Sequence, residues 1–212
     1  DVRGTVHLGK HLTAPDFEVT APEGANSVTA NVIGVVENQA PTKALKSDLP
    51  VVSGVVEGDK NVCQIDLVER HRATGGVVNG FGSGFGYTGA MAIASTVAHD
   101  SHHMIVVGTS KANMALAANR LGEVGGGVVF FADGEEQALI EMPIAGLMSD
   151  ERAEVVAGKA DQLIAAMQEA GCMLNNAYMQ HSLLALVVIP ELRISDLGLV
   201  DVTKFEKVDL FV

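Results

Sequence analysis

The sequence is short of cysteine, of positive charge and of long apolar runs, and each shortage excludes a class of protein. Its two cysteines, Cys63 and Cys172, stand far apart without a CxxC spacing. They provide neither a multi-bridge disulfide framework nor a paired-cysteine zinc site, and are expected as buried or half-buried thiols. Lysine and arginine total 14 against 26 aspartates and glutamates, a formal net charge of −12. No basic cluster offsets this balance, so polyanions are repelled and no nucleic-acid surface is expected. No apolar run approaches the roughly 18–20 residues of a membrane helix. The N-terminus lacks a basic stretch followed by an apolar core, so no signal peptide is expected and the cytoplasm is the expected location. Charged residues make up only 19% of the 212 while hydrophobic residues reach 48%. That balance suits a folded body with a substantial core and not a disordered chain.

Residues 1–21 are irregular, carry Gly4, Gly9 and Pro15, and start without methionine, which reads as the interior of a longer chain. His7 and His11 flank Gly9-Lys10 there and are expected as surface or linker histidines. From Ser27 the pattern turns β-like: residues 28–36 alternate and are rich in branched side chains, and 51–52 and 55–56 flank Ser53-Gly54. After a polar turn at 57–61, residues 62–68 put Val62, Gln64, Asp66 and Val68 on one side and Cys63, Ile65 and Leu67 on the other. That alternation predicts a half-buried strand. Glu69-Arg70-His71 closes it, either handing side chains to a site or forming a surface Glu69–Arg70 ion pair.

Residues 75–89 are rich in glycine, and Gly84 to Gly89 match GxGxxG. No clean strand precedes the match and no acidic residue ends a second strand at the expected distance, so a dinucleotide site is disfavoured. A mobile flap with Phe81, Phe85 and Tyr87 as adhesive points suits the composition better. Beyond residue 103 the pattern predicts a buried strand at 104–108 and a helix over 111–122 with Met114, Ala118 and Leu121 on one face. It continues with a buried strand at 128–131, a turn at Asp133-Gly134 and a returning strand at 138–142. Ser149 is the expected N-cap of a helix whose apolar stripe is Val156, Ala160, Leu163, Ile164 and Met167, stopped by Gly171. Residues 183–189, ended by Pro190, are expected as a further buried strand, and the tail at 210–212 as docked on the body.

The densest chemistry is His99-Asp100-Ser101-His102-His103, wedged between the glycine-rich region and the 104–108 strand. Three imidazoles, a carboxylate and a hydroxyl in five residues suit metal binding, proton transfer or hydrogen bonding to a polar ligand. The same residues also occur as solvated turns or as partners of backbone carbonyls, and the segment by itself does not choose.

Several motifs occur in a fixed order. They are Glu69-Arg70-His71 followed by Thr74-Gly75, the run from Ser95 to His102, Ile105 to Thr109, Asn119-Arg120, Ile144 to Glu151, and Ile189-Pro190-Glu191-Leu192. On these motifs the sequence resembles, over nearly its whole length, the C-terminal region of the adenine deaminase family, within the metal-dependent amidohydrolases. The resemblance implies hydrolysis of adenine to hypoxanthine and ammonia in purine salvage, by a hydroxide activated on a divalent ion, manganese or iron. It places that metal in an N-terminal barrel absent from this chain, so no metal ligand is expected here. The implied partners are adenine and that barrel, in a homo-oligomer. The implied fold is α+β: residues 1–60 as a β-rich segment completing a sandwich and linking to the longer chain, then 61–212 as a mixed sheet packed with helices. His99, Asp100, Ser101 and His102 are expected in supporting catalytic roles, and Glu69, His71, Phe85 and Tyr87 near substrate. Two departures stand out: His103 replaces the asparagine of the family pattern, and the glycine-rich run holds more glycine and aromatics.

Two other readings remain open on the residues. One is a structural and oligomerisation domain, for which Met142 and Met148 suit an interface. The other is an autonomous metal enzyme in which His99, His102 and His103, at i, i+3 and i+4, meet one ion if the segment is helical.

Overall fold

Alternation along Val28, Ala30 and Val32 buries one face of β1 (Ser27–Gly34) and leaves the other to Thr29 and Asn31. The computed structural model, which describes residues 2–212, pairs this strand antiparallel with β2 (Lys43–Val52), which turns at Ser53-Gly54 into β3 (Val55–Val56). The body follows as β4 (Val62–Val68), β5 (Val77–Ser83), β6 (Met91–Ser95), β7 (Met104–Gly108), α1 (Lys111–Val124), β8 (Gly127–Ala132) and β9 (Glu135–Glu141). These strands form one nine-stranded sheet in the order β3-β2-β1-β5-β4-β7-β6-β8-β9. All its pairings are antiparallel except the short parallel join of β1 to β5, at Ile33 with Gly82 and Gly34 with Ser83. The chain closes with α2 (Ala153–Glu169), α3 (Ala177–Ser182) and a small antiparallel sheet of β10 (Leu192–Ser195), β11 (Gly198–Asp201) and β12 (Glu206–Val208).

Apolar side chains cover both faces of the large sheet. Met114, Ala117, Ala118 and Leu121 of α1 pack with Leu12 and Phe17 against Ala92, Ala94, Val106 and Val129. Leu163 and Met167 of α2, Ala177 of α3, and Ile194 and Leu199 of the small sheet pack against Ile65, Leu67, Ile105 and Phe130 on the opposite face. β4 is therefore buried along its whole length, and the half-buried strand expected from its alternation is corrected. Gln64 and Asp66 imitate a wet face, but α1 and the 3-10 helix Ala14–Phe17 cover it, and the Gln64 amide donates to the Phe17 carbonyl at 2.5 Å.

Other expectations are corrected by the same packing. The glycine-rich run is no flap: its first half is the interior strand β5, and Phe81, Phe85 and Tyr87 are buried. Gly82 is required by close approach, since a Cβ there would collide with the Ile65 side chain. The 183–189 run forms a 3-10 turn, Leu183–Ala185, continuing α3, so that Leu184 and Ala185 are buried and Val188 is 61% exposed. α2 starts at Ala153 after Arg152, not at Ser149, and Ile164 of its expected stripe faces outward at 48% exposure. The α1 helix, capped by the Ser110 side chain and ended by Gly125 in the left-handed conformation, matches its expected face. Cys63 and Cys172 are buried free thiols. The tail docks beside β1: Asn31 donates to the Leu210 carbonyl and Val212 to the Thr29 carbonyl, each at 2.9 Å.

Candidate functional site

Two loops meet at one end of the large sheet. The first leaves β4 through residues 69–76, and the second joins β6 to β7 through residues 96–103. The Glu69 carboxylate organises the first from within, accepting the N–H groups of His71 at 2.5 Å, Arg72 at 2.8 Å and Thr74 at 3.0 Å, with the Thr74 hydroxyl at 3.1 Å. Partial burial pushes this carboxyl up, but those donors outweigh it and hold its pKa down at about 2. Glu69 is thus an ionised staple of its own loop.

The second loop is anchored where β6 ends. Thr96 donates its hydroxyl to the Gly146 carbonyl at 2.5 Å and accepts the Gly127 N–H at 2.7 Å. The His99 N–H donates to the Ser182 carbonyl at 3.1 Å, and the His102 N–H to the Ala98 carbonyl at 2.8 Å. His102 itself is left-handed, with φ 52°.

The resulting turn pairs two of its three imidazoles and sends the third to the other loop. His99 and His102 meet edge to face at 5.3 Å, while His103 turns back to His71 at 4.7 Å, a contact between the two loops. The His71 Nε2 lies 2.9 Å from the Ser101 carbonyl. A carbonyl only accepts, so Nε2 carries a proton there. Desolvation first, then the neighbouring histidines and Arg70, push the pKa of His102 and His103 down, with Asp100 and Asp196 opposing in part. That shift favours the neutral form of both rings, and the Nδ1 of each is buried without a protein partner among the described residues. Asp100 and Ser101 are exposed at the tip. The arrangement offers imidazoles, a carboxylate and a hydroxyl to a polar ligand, which suits hydrogen bonding and proton transfer.

Among the expected site residues, His71, His99, Asp100, Ser101 and His102 therefore gather here, with Glu69 beneath them. Phe85 and Tyr87 belong to a different, buried ring cluster with His181 and Phe130. There the Tyr87 hydroxyl meets His181 Nε2 at 3.1 Å, and His181 Nδ1 donates to the Ala177 carbonyl at 2.6 Å. Burial lowers the His181 pKa to about 4. Sequence reasoning missed His181 and Asp196, whose carboxylate lies 3.8 Å from His103 Nε2; both are distant along the chain and carry no local motif. It also offered Arg70 to a surface ion pair with Glu69, whereas Arg70 is 2% exposed.

No group of three or more histidine, cysteine, aspartate or glutamate side chains among the described residues is placed to hold a metal ion. The helical spacing needed for His99, His102 and His103 to share one ion is absent, because 99–103 is a turn that points His103 at the other loop. No helix of the described residues is long and apolar enough to cross a membrane.

A family model described as the adenine deaminase C-terminal domain matches residues 39–206. An adenine deaminase of Ruegeria sp. (strain TM1040) is 75% identical over 206 residues, covering 97% of this chain and 34% of that protein. An adenine deaminase of Mesorhizobium japonicum is 70% identical over 212 residues, covering 99% and 35%. One from Moorella thermoacetica is still 44% identical over 211 residues, again covering 99% and 35%. The chain thus spans about a third of the length of the curated relatives it matches.

Proposed function

Because the chain belongs to the adenine deaminase C-terminal domain family, we propose that it is the C-terminal portion of an enzyme converting adenine and water to hypoxanthine and ammonia. In this proposal the 99–103 turn and His71 help enclose the catalytic centre of the longer protein. The observation that carries it is the gathering of four imidazoles from two loops, with the buried Nδ1 atoms of His102 and His103 unpartnered. Such atoms are costly to leave unbonded, and a polar ligand or ordered water supplies the missing partner.

A divalent ion, manganese or iron, would supply an activated hydroxide in such an enzyme. The described residues do not fit such a site, so the ion belongs to the preceding barrel and these residues have other work. His102 and His103 hold or move a proton at their buried, unpartnered Nδ1 atoms, Asp100 and Ser101 hydrogen-bond polar atoms at the rim, and Glu69 fixes the loop that carries His71. Phe85 and Tyr87, expected to touch substrate, are buried and brace α3 through His181 instead. The 1–60 segment completes a sandwich with strands of the longer protein, a role for which the mostly exposed β2 is available. Homo-oligomerisation and a cytoplasmic location complete the proposal.

Ammonia release from adenine tests it, comparing this chain alone with the full-length enzyme, both supplied with manganese or ferrous iron. The expected result is turnover by the full-length enzyme and none by the chain alone. Turnover by the chain alone would overturn the assignment of the chemistry to the missing part. The exposed Met148, Leu197 and Phe205, at 58%, 70% and 77%, favour a second reading, a domain that only builds a subunit interface. A stable dimer of the chain by sedimentation, together with full activity after mutation of the 99–103 turn, would select it.

A further inference from the structure

Arg70 is the second residue beyond β4 and one of the largest fully buried side chains of the described residues. Its guanidinium reaches three backbone carbonyls on three separate stretches of chain. Nε donates to His102 at 2.5 Å, Nη2 to Ala145 at 3.2 Å and Nη1 to Thr5 at 3.5 Å. Two of these acceptors belong to non-glycine residues in the left-handed region, His102 at φ 52° and Ala145 at φ 58°, a conformation that L side chains adopt sparingly. The neighbouring Gly146 is left-handed too, and a Cβ on it would lie 2.8 Å from Arg70 Nη1, so the loop is shaped around the guanidinium.

The backbone of Arg70 joins the same arrangement. Its carbonyl accepts the His7 N–H at 2.9 Å, and the Ala145 N–H donates to the Val2 carbonyl at 2.6 Å. The 2–7 stretch, the 143–148 loop and the histidine turn are therefore fastened together at one side chain. A planar fork with five donors can serve three divergent carbonyls, whereas a lysine ammonium is a point donor on a flexible stem.

We propose that Arg70 is the positioning residue of the histidine turn: by fastening the His102 carbonyl to the 2–7 stretch, it sets where the His102 imidazole stands relative to the rest of the longer protein. This inference rests on the reading of the turn as part of an adenine deaminase centre. His102 would touch the ligand or its proton, and Arg70 acts only through the backbone that carries it.

The test uses the full-length enzyme with Arg70→Lys and Arg70→Met, each alone and combined with His102→Ala. Arg70→Lys keeps the buried charge and loses the fork, so it guards against a variant that simply fails to fold. Its expected result is a kcat for adenine lowered roughly tenfold or more, since small misplacements of a catalytic group are costly, with KM little changed. Hydrogen exchange at the His102 amide should rise while the protein stays folded, its circular dichroism like that of wild type. In the His102→Ala background, Arg70→Lys should lower kcat by no more than about twofold further, the signature of two residues acting as one unit. Full additivity of the two losses would overturn the proposal, as would unchanged kcat and exchange in Arg70→Lys. If His102→Ala alone leaves the kinetics intact, the catalytic reading of the turn fails. Faster exchange of the His102 amide in Arg70→Lys would then still uphold the fastening, and unchanged exchange would remove that as well.

Discussion

Arg193→Met is expected to destabilise this domain by about 3–5 kcal/mol, because four backbone carbonyls lose the donors of one fully buried side chain at once. Arg193 lies on β10 with 0% exposure. Its Nε donates to the Ile189 carbonyl at 2.8 Å and Nη1 to the Leu183 carbonyl at 2.8 Å. Nη2 reaches Ala40 at 2.5 Å and Pro190 at 3.4 Å. The side chain thus ties the small sheet to the turn after α3 and to the connection between β1 and β2. Methionine fills part of the volume but donates nothing to the carbonyls that Arg193 serves. Urea unfolding of the chain, followed by circular dichroism, measures the loss. A cost below about 1 kcal/mol would mean that the site relaxes to let water reach those carbonyls.

The second large effect is a pH dependence set by Asp66. Its carboxyl is fully buried, and desolvation pushes its pKa up to about 8, opposed in part by Asn79, Gln64 and the Gly80 backbone. The Gln64 amide donates to it at 2.8 Å. The folded pKa lies above the unfolded one, so between about pH 4 and pH 8 the folded state keeps a proton that the unfolded state has released. Stability therefore falls as pH rises through that window and levels off above it. The expected fall is of the order of a few kcal/mol, with Asp66→Asn removing most of that slope. Thermal unfolding of both proteins from pH 5 to pH 9 checks this. An equally steep slope in Asp66→Asn would assign the dependence to other groups.

Asp66 also shows why part of the fold was hidden in the sequence. The alternation of Gln64 and Asp66 with Cys63, Ile65 and Leu67 has the signature of a strand wet on one face, and only α1 and the 14–17 helix, remote along the chain, convert that face to core. Strand pattern and turn chemistry were legible where neighbours in sequence are neighbours in space, as in the β8–β9 hairpin and the capped α1. The run at 183–189 misled because a short apolar stretch fits a buried strand and a helical turn alike. At the candidate site the cluster 99–103 was readable as chemistry, and His71 as a strand-end candidate. The pairing of His103 with His71 was not, because it depends on the left-handed His102 and on Arg70, whose burial no local pattern marks. Phe85 and Tyr87 looked like ligand contacts since aromatics among glycines resemble a flap, yet they are core.

The most direct test of the catalytic reading of the turn is kcat/KM for adenine in full-length enzyme carrying His102→Ala. A loss of roughly a hundredfold or more, the range of a lost acid–base group, with the thermal midpoint close to wild type, is the predicted result. Kinetics indistinguishable from wild type would contradict it and leave the domain a structural one.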